Sequence, residues 1–562
     1  MKIKLYSSLL FVWLSFFVNI HTKAQNCQWA NQIGHLNSNT KLNAISNYSG
    51  ENIIIAGSFT SPTLTFNTHT LTNSGQEDAF FVVVDKNGNY LWANKIGGLE
   101  VDNITNVVSD SLGNIYVAGH FYSLSLTIGS SVLVNSGESD GFLVKFNSNN
   151  TVEWARNIGT NLADVISGLG VDSSGDVYVS GHSSLHPINN VFIKKYDSNN
   201  NLLWEEYGTS DSLGFNSISS TSLTIDADQN VYLTGSINGY ATFSNTHSIG
   251  YGTQSGFIVK YSTSGHYMLG IADTGLTQVN DITSLNNELY ACSEKLTWKM
   301  GWGWPLQSSK VYVTKLDKTL NKIWQKENGG VSGSIYDEQY DRARAISVDE
   351  SGNTYVAGFS FSDTLYFANT TLLNEYYISY YYPQAFVFKY GPTGDELWGK
   401  FFGGQLLDEA TIVMAASNDN FYFGGMFESD TISLDNHLLE NTGILDSIYV
   451  HISPIRFGRK QLSFISYFEN DSTINIDELN NSIIISLFPN PANDYFFIKF
   501  LTKPVSAIKV SIYSMDGRLI KSDYHNSPSE ILKVDANEIA SGIYFVIVDS
   551  KNSRAIHKLI RE

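Results

Sequence analysis

Asp110-Ser-Leu-Gly113-Asn114-Ile-Tyr116-Val-Ala-Gly119-His-Phe121 opens a unit that passes through a variable insert to Asp140-Gly-Phe142-Leu-Val-Lys145-Phe and ends on Val152-Glu-Trp154-Ala-Arg-Asn-Ile-Gly159. Most of the chain up to Pro454 is a variation on it. Three landmarks recur in order. The first is a strand ending in a small residue and glycine: Ala56-Gly57, Ala118-Gly119, Ser180-Gly181, Thr234-Gly235, Ala357-Gly358 and Gly424-Gly425. One interval is doubled, because Leu289-Tyr290-Ala291-Cys292 fills a slot without the glycine. The second is an aromatic-led strand at Phe80, Phe142, Phe192, Phe257, Tyr312 and Phe386, with Ile448 in a seventh copy. The third is a strand with a central tryptophan: Trp29, Trp92, Trp154, Trp204, Trp324 and Trp398. The fourth unit, near residues 266–269, lacks it.

Each unit supplies four short strands, with an inner strand such as residues 104–109 leading into the landmarks. Units of about 60 residues with four strands predict an all-β, seven-bladed β-propeller. The chain opens on an isolated tryptophan strand at 27–33, and the seventh unit is expected to end on its third strand at 446–453. The N-terminal strand therefore closes the last blade. Turns such as Asp110-Ser-Leu-Gly113-Asn114, Asp172-Ser-Ser-Gly175-Asp176 and Asp349-Glu-Ser-Gly352-Asn353 put glycine where φ is positive and aspartate where it bonds local amides. They lack the dense alternating carboxylates of a calcium loop.

The 562 residues carry a formal net charge of −19. Residues 25–481 hold 22 Lys/Arg against 46 Asp/Glu, so the acidity belongs to the repeats. Nucleic acid and anionic membranes are excluded as partners on that balance. Residues 1–24 read as a signal peptide: Lys2 and Lys4 precede a short apolar core at 9–18, with Thr22-Lys-Ala24 before the cut. No membrane-spanning segment is expected in the mature chain. Cys27 and Cys292 fall in non-adjacent blades and are expected as unpaired thiols.

The Asp-Ala-Phe, Trp, Gly-Gly and Gly-Asn-x-Tyr-Val-x-Gly pattern resembles the bacterial SBBP β-propeller repeat family over residues 27–454. That resemblance implies a fold rather than an activity.

An acidic register recurs: Asp102, Asp164, Asp341 and Asp408 each lie 14 residues before a tyrosine of the small-Gly strand (Tyr116, Tyr178, Tyr355, Tyr422). It falls near the channel mouth and reads either as a ligand-holding collar or, preferably, as loop-capping aspartates. A second candidate site is aromatic. Trp298, Trp302 and Trp304 lie in the insert of blade five, and Tyr376, Tyr377, Tyr380, Tyr381 and Tyr382 in that of blade six. The loop between these blades adds Asp337, Glu338 and Asp341. Aromatic faces beside hydrogen-bonding acids suit sugars or a protein partner. Catalytic signatures are absent, including His-Glu-x-x-His, Gly-x-Ser-x-Gly and a phosphate-cradling loop. His120 and His182 read as repeat positions. No catalytic residue, metal or cofactor is assigned.

Residues 458–482 read as a polar linker. Seven alternating strands follow in 483–562, which predicts a small Ig-like β-sandwich. Pro489-Asn490-Pro491, Asp516-Gly517-Arg518, Gly542-Ile-Tyr544-Phe-Val-Ile547 and the terminal Lys558-Leu559-Ile560-Arg561-Glu562 resemble the type A C-terminal sorting domain of type IX secretion cargo. The resemblance implies passage through the periplasm, recognition by the type IX translocon and trimming by a sortase-like peptidase. The protein is then secreted or held at the outer-membrane surface.

The domains are thus a signal peptide (1–24), a propeller (25–457), a linker (458–482) and a sorting domain (483–562). The functional expectation is a non-catalytic adhesion or binding propeller for a glycan or surface protein. The alternatives are a hydrolytic, carbohydrate-active propeller using channel-mouth carboxylates and a scaffold without a small ligand.

Overall fold

Runs such as Asp78–Val84 and Asp140–Phe146 are buried along their whole length. A strand covered on both faces needs no polar alternation, so these segments read as continuous apolar stretches. The outer strands Tyr90–Ile96 and Val152–Ile158 are half-exposed. The structure is a computed structural model that describes residues 25–34, 39–185, 188–210, 217–300, 305–331, 339–367, 370–374, 382–441, 446–448, 456–458, 461–470, 485–488, 492, 494–500, 507–514, 519–526, 529, 531–537, 539–550 and 553–561.

Among the described residues up to Asn470, the ladders form seven antiparallel four-stranded sets. Their inner strands are Thr40–Asn47, Asp102–Ser109, Ala163–Val171, Ser217–Ile225, Gln278–Leu285, Gln339–Val348 and Asp408–Ala415. Each inner strand packs on the next and the last packs on the first, so the array closes as a β-propeller. The strands expected around the glycine, aromatic and tryptophan landmarks follow in order within each set.

The seventh set differs in one strand. Its third strand is Leu462–Asn470, lying between Phe421–Phe427 and the N-terminal Gln25–Ile33. The expectation that 446–453 supplies this strand is corrected: the described part, Asp446–Ile448, pairs instead with Arg456–Gly458. The physical reason is apolar content, since Phe464, Ile465 and Phe468 are all buried. A cluster of large side chains outcompetes the short Asp446-Ser-Ile segment for the slot between two sheets. Propeller strands therefore run to Asn470, into the expected linker, and the chain divides into compact units after that residue.

The tryptophans join one blade to the next. Indole Nε1 of Trp29, Trp154, Trp204 and Trp324 donates to a turn carbonyl of the following blade: Lys86 at 2.8 Å, Ser198 at 3.1 Å, Thr263 at 3.0 Å and Pro392 at 3.1 Å. Beneath three of the rings lie Gly88, Gly265 and Gly394, with φ of 83°, 86° and 84°. A Cβ at any of them would stand within 2.9 Å of the indole. Blade four breaks the rule on both sides of the joint. Leu269 takes the tryptophan slot opposite Lys260, and the glycine slot of the next turn is Leu320, buried despite a φ of 64°. Leu269 packs on the cluster containing Leu320. The smaller ring-side residue leaves room that the larger turn-side residue fills.

The lysine of the third strand is buried. Lys145, Lys195, Lys260, Lys315 and Lys389 lie 4.8–5.6 Å from the ring centres of Tyr116, Tyr178, Tyr232, Tyr290 and Tyr355. Burial alone would depress the Lys195 pKa, but hydrogen bonds with Tyr178, Asp172 and Asp176 outweigh it and hold the ammonium above its ordinary range. Blade one has neither group: Ile54 faces Val83. Cys27 and Cys292 are both free and buried.

Among the described residues the C-terminal unit has seven strands, as expected, in two sheets. One is Ile485–Phe488, Tyr495–Phe500 and Ile531–Asp535. The other holds Leu519–His525, Ile508–Ser514, Gly542–Ser550 and Ser553–Arg561. Phe496, Ile498, Val546 and Leu559 are buried in one shared cluster.

Leu269→Trp alone is expected to cost about 1–3 kcal/mol through overpacking against Leu320. Combined with Leu320→Gly, the loss should fall below the sum of the single effects by at least about 1 kcal/mol. Denaturant unfolding of the four proteins measures this coupling, and additive losses would exclude the complementary joint.

Candidate functional site: the ring channel

Every inner strand carries a one-residue bulge, at Asn43, Thr105, Ser167, Thr221, Asn280, Arg344 and Thr411. A bulge takes its residue out of the ladder and re-aims its side chain. These seven residues line a cavity of about 540 Å³ walled by all the inner strands. Most also reach the neighbouring blade. Asn43 Nδ2 donates to Ile104 O at 2.9 Å, Thr221 Oγ1 to Val279 O at 2.6 Å, and Asn280 Nδ2 to Ala343 O at 2.8 Å. Thr411 Oγ1 donates to Leu42 O across the closure of the ring. Ser167 and Ser220 share a hydroxyl contact at 2.6 Å, and Arg344 pairs with Glu409 at 3.6 Å.

The carboxylates beside this collar are engaged. Glu294, 1% exposed, receives Arg342 Nε and Nη2 at 2.5 and 2.7 Å. Asp281 accepts from Ser222 Oγ at 2.7 Å, Ile282 N at 2.9 Å and Ile346 N at 3.0 Å, so one side chain ties three blades. Burial raises its pKa, with these donors opposing. His120 and His182 follow the small-Gly positions of adjacent blades, each with a buried, unpartnered Nδ1. Burial drives His120 down to about 4 and lowers His182, disfavouring the imidazolium at both. Among the described residues no three His, Cys, Asp or Glu side chains are grouped so as to hold a metal ion.

The acidic register lies at the start of the inner strands, buried between blades. Asp102 accepts from Gly98 N at 2.6 Å and Ser123 Oγ at 2.8 Å. Asp164 accepts from Thr160 N at 2.6 Å and from Ser183 Oγ, and Asp341 from Gly330 N at 2.7 Å and Ser362 Oγ at 3.0 Å. Asp408 accepts from Gly404 N and Ser429 Oγ, both at 2.7 Å. All four are at most 1% exposed. Each ties the incoming loop and the following second strand to the start of an inner strand. Burial raises the pKa of Asp102 and Asp341, and takes Asp408 to about 7.

The aromatic candidates fall mainly beyond the described residues: Trp302, Trp304, Tyr376, Tyr377, Tyr380, Tyr381 and Asp337 lie outside them. Trp298 sits in the strand Glu288–Met300, its backbone opposite Gln307, so this insert begins as an extended hairpin. Tyr382 is half-buried. Of the sorting motifs, Pro489, Asn490, Pro491 and Gly517 also lie outside. Gly542 opens the strand Gly542–Ser550, Tyr544 Oη donates to Ala540 O at 2.8 Å, and Lys558 and Leu559 pair with Phe545 and Tyr544 in the sheet.

Sequence reasoning missed the collar. Its signal is a polar residue three places after each register aspartate: Thr105, Ser167, Arg344 and Thr411. It interrupts a two-residue alternation and so marks the bulge.

Residues 486–562 match the secretion system C-terminal sorting domain, and residues 153–184 match the beta-propeller repeat. An uncharacterized WD repeat-containing protein of Acanthamoeba polyphaga mimivirus is 24% identical over 454 residues, covering 71% of this chain. The chain spans 31% of the length of that relative. Similar solved structures include the polysaccharide lyase Uly1, at 10% identity and a TM-score of 0.38, covering 76% of this chain and 90% of its own. A Synechocystis apocarotenoid oxygenase mutant follows at 8% identity and 0.34, covering 75% and 94%. No helix among the described residues is long and apolar enough to cross a membrane.

A carboxyl whose folded pKa lies above its unfolded value favours folding below the unfolded pKa, and that contribution is lost as pH rises through the folded one. Asp408, raised from 3.8 to about 7, should therefore destabilise the propeller progressively from pH 4 to 8. Asp408→Asn should remove up to about 4 kcal/mol of that slope; parallel pH profiles in chemical unfolding would rule out the assignment. Deleting residues 558–562 removes buried Leu559 and part of an edge strand, and is expected to leave the protein in the envelope fraction on immunoblots. Undiminished appearance outside the cell would remove the motif from the export signal. The sorting domain assigns the chain to type IX export, to the cell surface or the extracellular space, with a β-propeller as its larger part.

Proposed function

We propose that the exported propeller is a non-catalytic binding module whose ligand is a glycan or a surface protein. The observation that carries this reading is the channel wall. Six of its seven bulge residues are neutral hydroxyl or amide side chains; among the described residues, Asp281 of the wall and Glu294 and Glu409 outside it are each engaged by a partner. Hydrolysis of a glycosidic bond requires two carboxyl groups free to act as acid and as base or nucleophile. A wall of short hydrogen-bonding groups on a hydrogen-bonded ring is better suited to holding a polar ligand. On the export side, the translocon and a sortase-like peptidase are the proposed handlers of residues 483–562.

The purified chain, incubated with a panel of polysaccharides and with intact cells, should be retained by at least one of them without releasing soluble sugar. Soluble products would replace this reading with the hydrolytic one, and a lack of retention on every surface would leave a scaffold.

A further inference from the structure

In blade four the second and third strands, Val231–Phe243 and His247–Tyr261, run on past the sheet. Their distal part turns onto the preceding blade, where Ala241, Thr242 and Phe243 pair with Ser210, Thr209 and Gly208. Ala241 and Phe243 are buried beneath, and the Phe243 ring lies 5.5 Å from that of Phe257. The extension is therefore part of a continuous sheet across two blades.

The ladder between its arms breaks at one point. Gly239 pairs with Thr253 and Tyr240 with Gly250, which leaves Tyr251 and Gly252 unpaired as a bulge. Gly239, Gly250 and Gly252 have φ of 95°, 117° and 72°. A Cβ at Gly250 would stand 2.3 Å from the Gly239 carbonyl oxygen. Only glycine permits this geometry. Its consequence is a pair of outward tyrosines, Tyr240 at 48% and Tyr251 at 61% exposure. Tyr240 lies beside the side-chain-free backbone of Gly252, where a Cβ would be 3.6 Å from its Cε2. Among the described residues the outward neighbours of the two rings are uncharged: the Thr242 and Ser248 hydroxyls share a 2.9 Å contact, and Thr253 and Gln254 are exposed. At the far end of the extension Glu206 accepts from Ser244 Oγ at 2.8 Å.

We propose that this bulge is a docking platform for a neutral polysaccharide, one sugar ring lying on Tyr240 and the next on Tyr251. The C–H-rich face of a pyranose stacks on a tyrosine ring, and hydroxyls at its rim meet Thr242, Ser248 and Gln254. The glycines let the sugar approach the backbone. The neutral surface, on a chain of net charge −19, selects against uronic-acid or sulfated chains. The proposal rests on the binding reading above, and it places the glycan on the rim of blade four.

Affinity electrophoresis of the full chain through gels containing β-glucan, xylan, mannan or alginate tests it. Retardation is expected in at least one neutral gel and not in alginate. Tyr240→Ala and Tyr251→Ala should each weaken it about ten-fold, with unchanged thermal midpoints, whereas Tyr240→Phe and Tyr251→Phe should retain it. Retardation that survives Tyr240→Ala/Tyr251→Ala would overturn the platform and leave the binding reading standing. Retardation in alginate that these substitutions abolish would overturn the neutral specificity. A wild-type chain that passes every neutral gel unretarded would overturn the platform, leaving retention on cells to decide the broader reading.

Discussion

The ring depends on hydrogen bonds made across the joints near the axis, four of them from a bulge side chain to a backbone carbonyl of the adjoining blade. An inner strand bonds its own blade along one edge, and its other edge faces the channel. The carbonyl before each bulge would be left there with water as its partner. At Leu42, Ile104, Val279 and Ala343 a side chain from the adjoining blade supplies the donor instead. A backbone carbonyl left without a partner on burial costs about 1–3 kcal/mol, and the bulge side chain supplies that partner without relying on water. The same bond, from Thr411 to Leu42, joins the last blade to the first. The N-terminal strand reinforces that closure by supplying the seventh blade's outer edge.

Outside this collar, paired glycines and aspartates set the distance between blades. A Cβ at Gly97 would stand 2.1 Å from the Asp78 carboxylate, while Gly98 N donates to Asp102. The same arrangement recurs at Gly403 and Gly404, against Gln384 and Asp408. Here glycine is required by close approach, and the carboxylates are enclosed by loop amides and serines. Their burial raises several carboxyl pKa values, which is a cost the packing of neighbouring sheets offsets.

A ring stapled at its axis and wedged by indoles at its outer strands is a rigid frame. Variation is then tolerated where the frame does not depend on it: in the second-to-third-strand hairpins and at the bulged extension of blade four. Blade four is also where the tryptophan joint is replaced by Leu269 and Leu320. Its extension onto blade three adds sheet hydrogen bonds on the opposite side of the blade.

Much of this was legible in the residues. The period, the four-strand unit, the closing N-terminal strand, the Asp-x-x-Gly turns and the seven sandwich strands all follow from local chemistry: glycine at positive φ, aspartate beside free amides, apolar runs between turns. Tertiary structure decided the rest. The third strand of blade seven is Leu462–Asn470, because Phe464, Ile465 and Phe468 bury more apolar surface there than a nearer, shorter segment. The lysines in the third strands lie inside, because tyrosines and turn carboxylates distant in sequence enclose them. Thr105, Ser167 and Thr411 line the channel because a bulge turned them there, and a polar residue in an alternating strand does not by itself disclose which way it points.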